Sequence, residues 1–256
     1  MRDFTLTTYE KLLAGLKNAG FKFCTLGDIC RGEQEGRFVV LRHDVDRRPQ
    51  NALRMAILEN EAGISSTYYF RVKKEVFIPE IIKKISDLGH EIGYHFEDLT
   101  SRHGDVDEAV SSFRNNIEMF RKIVPVHTVS MHGRPLSKFD NRELLKSIDL
   151  AELGILCEPY SIVEKLKMAY LTDVGRKWNN SALNLRDKVR GQKELNLRTT
   201  FDIIEVLESG MADKKLMINI HPERWDEELL PWIVNAVWQK MKNGLKYVLI
   251  RMRHGS

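Results

Sequence analysis

Apolar positions along this chain recur with two periods, in alternating blocks. Runs of apolar and β-branched residues predict strands at Phe38-Val39-Val40-Leu41, Ser66-Thr67-Tyr68-Tyr69-Phe70, Val129-Ser130-Met131, Leu216-Met217-Ile218-Asn219-Ile220 and Tyr247-Val248-Leu249-Ile250. Shorter candidates are Ile155-Leu156-Cys157 and Ala169-Tyr170-Leu171. Between them, apolar residues three and four apart predict helices. One covers 50–62, with Leu53, Ala56 and Ile57 inward and Pro49 near its first turn. Ile78, Ile81, Ile82, Ile85 and Leu88 form a stripe closed by Gly89. Val106, Ala109, Val110, Phe113, Ile117, Phe120 and Val124 form a longer one, closed by Pro125. Residues 141–148 read as helical. Further stripes are Phe201, Ile204, Leu207, Met211 and then Leu230, Ile233, Val234, Val237, Met241.

Repeated strand–helix alternation predicts an α/β fold of parallel strands with right-handed crossovers. Seven to eight strand candidates suit a closed or nearly closed barrel, a single distorted (β/α) barrel of about seven strands of the TIM-barrel-like kind. The whole chain, 1–256, reads as one domain, with 1–36 as a helical extension (helix over 8–18) packed on its outside. No Gly-rich phosphate loop and no Gly-x-Ser-x-Gly elbow follows any strand.

Composition narrows the partners. Forty basic residues against 36 acidic leave a formal charge of +4 without a Lys/Arg run, which argues against nucleic-acid binding. No run approaches a membrane span, so no membrane insertion is expected. Met1-Arg2-Asp3-Phe4-Thr5 lacks an apolar leader core. Cys24, Cys30 and Cys157 are too few and too scattered for a disulfide framework. Together these predict a reducing, cytoplasmic location. The sequence is silent on oligomeric state.

The chemistry sits where strands end. In His43-Asp44-Val45-Asp46 the two acids share one strand face, a costly pairing unless a cation or a reaction uses it. In Gly89-His90-Glu91-Ile92-Gly93-Tyr94-His95, the histidines are five apart and diverge on a helix or a strand. His95 is then the inward candidate ligand and His90 a structural residue. His132 shares the inward phase of Ser130; His221 shares that of Met217 and Asn219. A lone histidine is more often a core or capping residue. Four strand ends carrying Asp, Asp, His, His and His are less easily accidental.

On these residues the chain resembles the polysaccharide deacetylase family, the NodB-homology fold of carbohydrate esterases, over roughly 36–250. More particularly it resembles members tied to lipopolysaccharide or surface-glycan gene sets, the WbmS-like kind. The resemblance implies Asp44 as general base, Asp46 and His95 as metal ligands, Arg134 of Gly133-Arg134-Pro135 steadying Asp44, and His221 of Asn219-Ile220-His221-Pro222 as general acid. Thr172-Asp173-Val174-Gly175-Arg176-Lys177-Trp178 is similar to the fourth motif, with Asp173 orienting an imidazole or pairing with Arg134. The family's second metal histidine falls on Leu99, which cannot ligate. His132 is the preferred replacement; Glu97 and His103 lie nearer in sequence. One divalent ion, Zn or else Fe, Co, Ni or Mn, fits such a donor set. Tyr160 and Trp178 are candidates to stack on a sugar face. The implied reaction removes an acetyl group from an N-acetylated sugar or glycan, free or nucleotide- or lipid-linked. The alternatives are hydrolysis of a non-sugar amide and a non-catalytic glycan-binding relic.

Overall fold

The computed structural model describes residues 2–32, 34–134, 137–178 and 197–254, with side chains to 244. The chain runs α1 (Leu6–Asn18), β1 (Lys22–Cys24), α2 (Leu26–Arg31), β2 (Phe38–Val45), α3 (Pro49–Glu61), β3 (Thr67–Phe70), α4 (Pro79–Asp87), β4 (Glu91–Phe96), α5 (Asp98–Ser101), α6 (Val106–Arg121) and β5 (Val129–Met131). After a 3-10 helix (Asn141–Ser147) come α7 (Pro159–Leu166), β6 (Ala169–Thr172), α8 (Thr200–Glu208), β7 (Lys215–Ile220), a short 3-10 turn (Pro222–Arg224) and α9 (Leu229–His254).

All strand pairs are parallel, in the order β5-β4-β3-β2-β7-β6. The sheet curls into a half-barrel, open between β5 and β6 among the described residues. β2 is central. Its first half pairs with β1 on one edge and its second half with β3 on the same edge. Every residue of β2 is buried, as expected of a parallel strand covered on both faces. The segment before Phe38 is therefore not a purely helical extension, because β1 joins the sheet.

Two apolar layers hold the sheet. One gathers Phe38, Val40, Tyr69, Phe70, Tyr94, Phe113 and Phe120. The other packs Tyr9, Leu12 and Leu16 of α1 and Leu207 of α8 against Val39, Leu41, Leu216 and Ile218. Gly93 makes room for Tyr69 inside the sheet: a Cβ there would lie 2.3 Å from Tyr69 Cε1 and 2.9 Å from the Thr128 carbonyl.

Several sequence expectations change. In α3 the buried face carries Ala52, Met55, Ala56 and Glu59, while Ile57 is 39% exposed. A buried glutamate shifted the apparent stripe. Of Ile155-Leu156-Cys157 only Cys157 bridges the sheet, beside Thr128. The strand expected at 247–250 is instead helix, continuing α9. A four-residue apolar run is ambiguous by period, and extending a formed helix avoids a new nucleation. The α9 stripe of Leu230, Val234, Val237 and Met241 faces outward rather than into the core. Cys30 and Cys157, 127 residues apart, form a disulfide with Cα atoms 6.4 Å apart. Sequence distance says nothing about such a pairing, so the cysteine argument for a reducing location falls. Among the described residues no helix is long and apolar enough to cross a membrane.

Candidate functional site

The C-terminal ends of β2, β4, β5 and β7 converge on one point. β2 delivers Asp44 and, just past its end, Asp46; β4 delivers His95; His132 follows β5 and His221 follows β7. Period-two alternation dictates this, because these side chains share the inner face.

Asp46, His95 and His132 each offer a donor atom, all within 4.8 Å of one another. His132 Nδ1 lies 2.9 Å from Asp46 Oδ1 and 3.3 Å from His95 Nε2. His95 Nε2 lies 3.5 Å from Asp46 Oδ1. His95 Nδ1 donates to the Ser130 carbonyl at 3.0 Å, which leaves Nε2 with its lone pair turned inward. Burial pushes the His95 imidazole down to about 4, with the nearby His132 adding to the effect and Asp44 opposing it. It is therefore neutral and competent to ligate at pH 7. Burial would raise the Asp46 carboxyl, but His132 and His95 outweigh it and hold the group well below its ordinary range. Asp46 Oδ1 is buried yet accepts no hydrogen bond among the described residues. A buried carboxylate oxygen with no hydrogen bond of its own, facing two imidazoles, suits a bound cation. The O/N/N donor set fits a divalent transition ion. Glu97 Oε1 is engaged by Arg71 at 2.6 Å and Lys73 at 3.3 Å, and Glu97 does not join the cluster of donor atoms. His103 is exposed, and Leu99 is buried in the core.

Beside this triad stands Asp44. Arg42 donates to both its oxygens, Nε to Oδ1 at 2.9 Å and Nη2 to Oδ2 at 2.7 Å. Asn219 Nδ2 donates to Oδ2 at 3.1 Å. Burial alone would raise the Asp44 carboxyl; Arg42, then His95 and His221, bring it to about 2. Arg134 does not reach Asp44: it is half exposed, 3.7 Å from Glu97 Oε2. The sequence reading missed Arg42, although the alternation that pairs Asp44 with Asp46 puts Arg42 on the same face.

Opposite Asp44, His221 is held by Asp173. Its Nδ1 lies 2.7 Å from Asp173 Oδ1 and its backbone N–H donates to Oδ2 at 3.1 Å. Trp225 Nε1 and Arg224 Nη1 also donate to Asp173. Burial and Arg224 push the His221 imidazole down; Asp173 and Glu223 pull it up further, to about 9. The ring is then protonated at neutral pH, with Nδ1–H given to Asp173 and Nε2–H available.

The two aromatic residues expected to meet a sugar do not. Trp178 is 1% exposed, donates to Thr200 Oγ1 and packs against Phe4 and Trp225. Tyr160 is buried, its ring 4.9 Å from the Arg42 guanidinium. His90 is structural: Nε2 donates to the Ala56 carbonyl and Nδ1 accepts from Ser66 N–H.

No family model matches the chain, and no curated protein matches it. Among solved structures it is similar to a CE4 family pseudoenzyme from Bacillus anthracis, at 13% identity and TM-score 0.43, over 80% of this chain and 63% of that one. It is also similar to a family 4 carbohydrate esterase from Bacillus anthracis (13% identity, TM-score 0.41, 92% and 86% covered). A third is Bacillus subtilis PdaA, a family 4 carbohydrate esterase (16%, 0.42, 91% and 84%). The chain spans just under two thirds of the pseudoenzyme, and these likenesses assign no chemistry to it.

Proposed function

We propose that this chain is a metal-dependent hydrolase that removes the acetyl group from an N-acetylated sugar. The observation that carries the reading is the placement of Asp44 and His221 beside the Asp46–His95–His132 triad, one held ionised and the other protonated. Opposite protonation states at one pH are what general acid–base catalysis needs.

A divalent ion held by Asp46, His95 and His132 would supply Lewis-acid polarisation of the amide carbonyl and of water. Asp44 takes the proton of the attacking water. Arg42 and Asn219 keep its carboxylate ionised and aimed through charge-assisted hydrogen bonds. His221 gives its Nε2 proton to the departing amine nitrogen, so acetate and a free amine leave. Asp173 fixes the ring and stabilises its charge before the transfer.

Zinc is the proposed ion, with Fe, Co, Ni or Mn chemically admissible. A place in surface-glycan or lipopolysaccharide synthesis belongs to the same proposal. The Cys30–Cys157 disulfide stands against the cytoplasm, and trapping thiols in intact cells before extraction tests it. Metal analysis of purified protein, followed by acetate-release assays on N-acetylated sugars, tests the function. Metal-replete protein that releases no acetate from any N-acetylated sugar or simple amide would leave a non-catalytic glycan-binding relic.

A further inference from the structure

Two clefts open on either side of Arg47, the residue that follows Asp46. One, of about 610 Å³, is lined by Arg47, Arg71, Arg134 and Lys138 together with His132, and by no acid among the described residues. The other, of about 180 Å³, is lined by Arg47, Arg48, Arg176, Arg224 and Lys242, with Glu223 its one acidic wall among the described residues. A net charge of +4 over 256 residues does not call for such a density of cations at one mouth.

Some of this charge is already matched. Arg71 pairs with Glu97, Arg48 with Asp226 and Arg224 with Asp173. Arg176 lies over the rings of Phe4 and Trp232. Arg47 and Lys242 have no carboxylate within 4 Å among the described residues, and both are exposed. On the wall of the smaller cleft, Arg224 Nε is a buried donor with no hydrogen bond among the described residues, Glu223 Oε1 standing 3.9 Å away.

Building on the deacetylase reading, we infer that the substrate carries a pyrophosphate group, which seats against Arg47, Lys242 and Arg224 while its acylated sugar reaches Asp44 and Asp46. A single carboxylate satisfies one guanidinium; several cations around one small cleft suit a group with several charged oxygens. A nucleoside-diphosphate sugar and a lipid-pyrophosphate sugar share this chemistry.

Calorimetry with inorganic pyrophosphate tests the site without relying on turnover. Wild type binds; Arg47→Ala and Lys242→Ala each weaken binding about tenfold or more, the scale of a hydrogen bond to a charged group. Asp46→Ala, which removes a metal ligand, still binds. Absence of wild-type binding, or binding lost in Asp46→Ala but intact in Lys242→Ala, would overturn the inference. So would glucuronate binding as tightly as pyrophosphate. Acetate release is then compared for uridine-diphosphate N-acetylglucosamine, a short polyprenyl-pyrophosphate N-acetylglucosamine and chitotetraose. Preference for either conjugate supports the inference and names the source; equal turnover of chitotetraose overturns it. Acetate release from none of the three counts against the deacetylase reading, and the pyrophosphate titration still decides the site.

Discussion

Arg42 and Asp44, two residues apart on β2, form a two-pronged ion pair at 2.9 and 2.7 Å inside the half-barrel, with 1% and 3% of their surfaces exposed. Breaking a buried pair by removing one partner typically costs about 3–5 kcal/mol, because the other charge is stranded. Arg42→Ala is expected to lose that much stability in urea denaturation. Arg42→Lys should recover part of it, since an ammonium cannot fork across both oxygens. A loss below about 1 kcal/mol in Arg42→Ala, the scale of an exposed pair, would show that the pair does not hold β2.

Metal content separates the ligands from their neighbours. His132→Ala, His95→Ala and Asp46→Ala are each expected to strip the ion on dialysis, while Glu97→Gln and His103→Ala keep about one per chain. Elemental analysis reads this directly. Full occupancy in His132→Ala would place the third ligand elsewhere.

Catalysis should respond differently. Asp44→Asn and His221→Ala are each expected to lower kcat by about two to four orders of magnitude, the usual range for an acid or base. Both should retain metal, because neither belongs to the triad. Full activity in Asp44→Asn would remove Asp44 as the base.

The pH profile tests the Asp173–His221 pair. His221 acts as an acid, so activity persists below its pKa and falls as pH rises through about 9. In Asp173→Asn the group that raises this pKa is gone, while burial and Arg224 still lower it. The alkaline limb should therefore move to lower pH. The same shift carries stability that is complete below the unfolded histidine pKa of about 6.5 and lost as pH rises through about 9. An unmoved limb in Asp173→Asn would exclude His221 as the acid.

Glu59 anchors the opposite face of β2. It accepts from Tyr9 and Tyr68 and meets His43 Nε2 at 2.7 Å, with all of these side chains buried. Burial would raise its carboxyl; His43 and His90, with the Tyr9 hydroxyl, bring it to about 2. Its contribution is present above the unfolded pKa of about 4.3 and lost as pH falls toward 2. Glu59→Gln should cost about 2–4 kcal/mol at pH 7, between a lost charged hydrogen bond and a broken buried pair. That gap from wild type should narrow in acid. A gap that stays constant down to pH 3 would show that the carboxylate charge is not what matters.

What the sequence determined by itself was local and periodic. Strand alternation sufficed to place Asp44, Asp46, His95, His132 and His221 on one face at one end of a parallel sheet, because period two is a property of the strand backbone and needs no partner. Helix stripes likewise marked α4 and α6 through Ile81, Ile82, Ile85, Phe113 and Ile117. Choices among distant partners were made by the tertiary structure. Asp44 is gripped by Arg42, which alternation already puts on its face, and only the packed half-barrel shows that Arg134 turns toward Glu97 instead. Trp178 is walled in by Phe4 and Trp225, from far along the chain in either direction. Cys30 finds Cys157 across 127 residues. Glu59 sits in the core because two tyrosines and a histidine await it there, and a hydropathy pattern counts charge without seeing its partners.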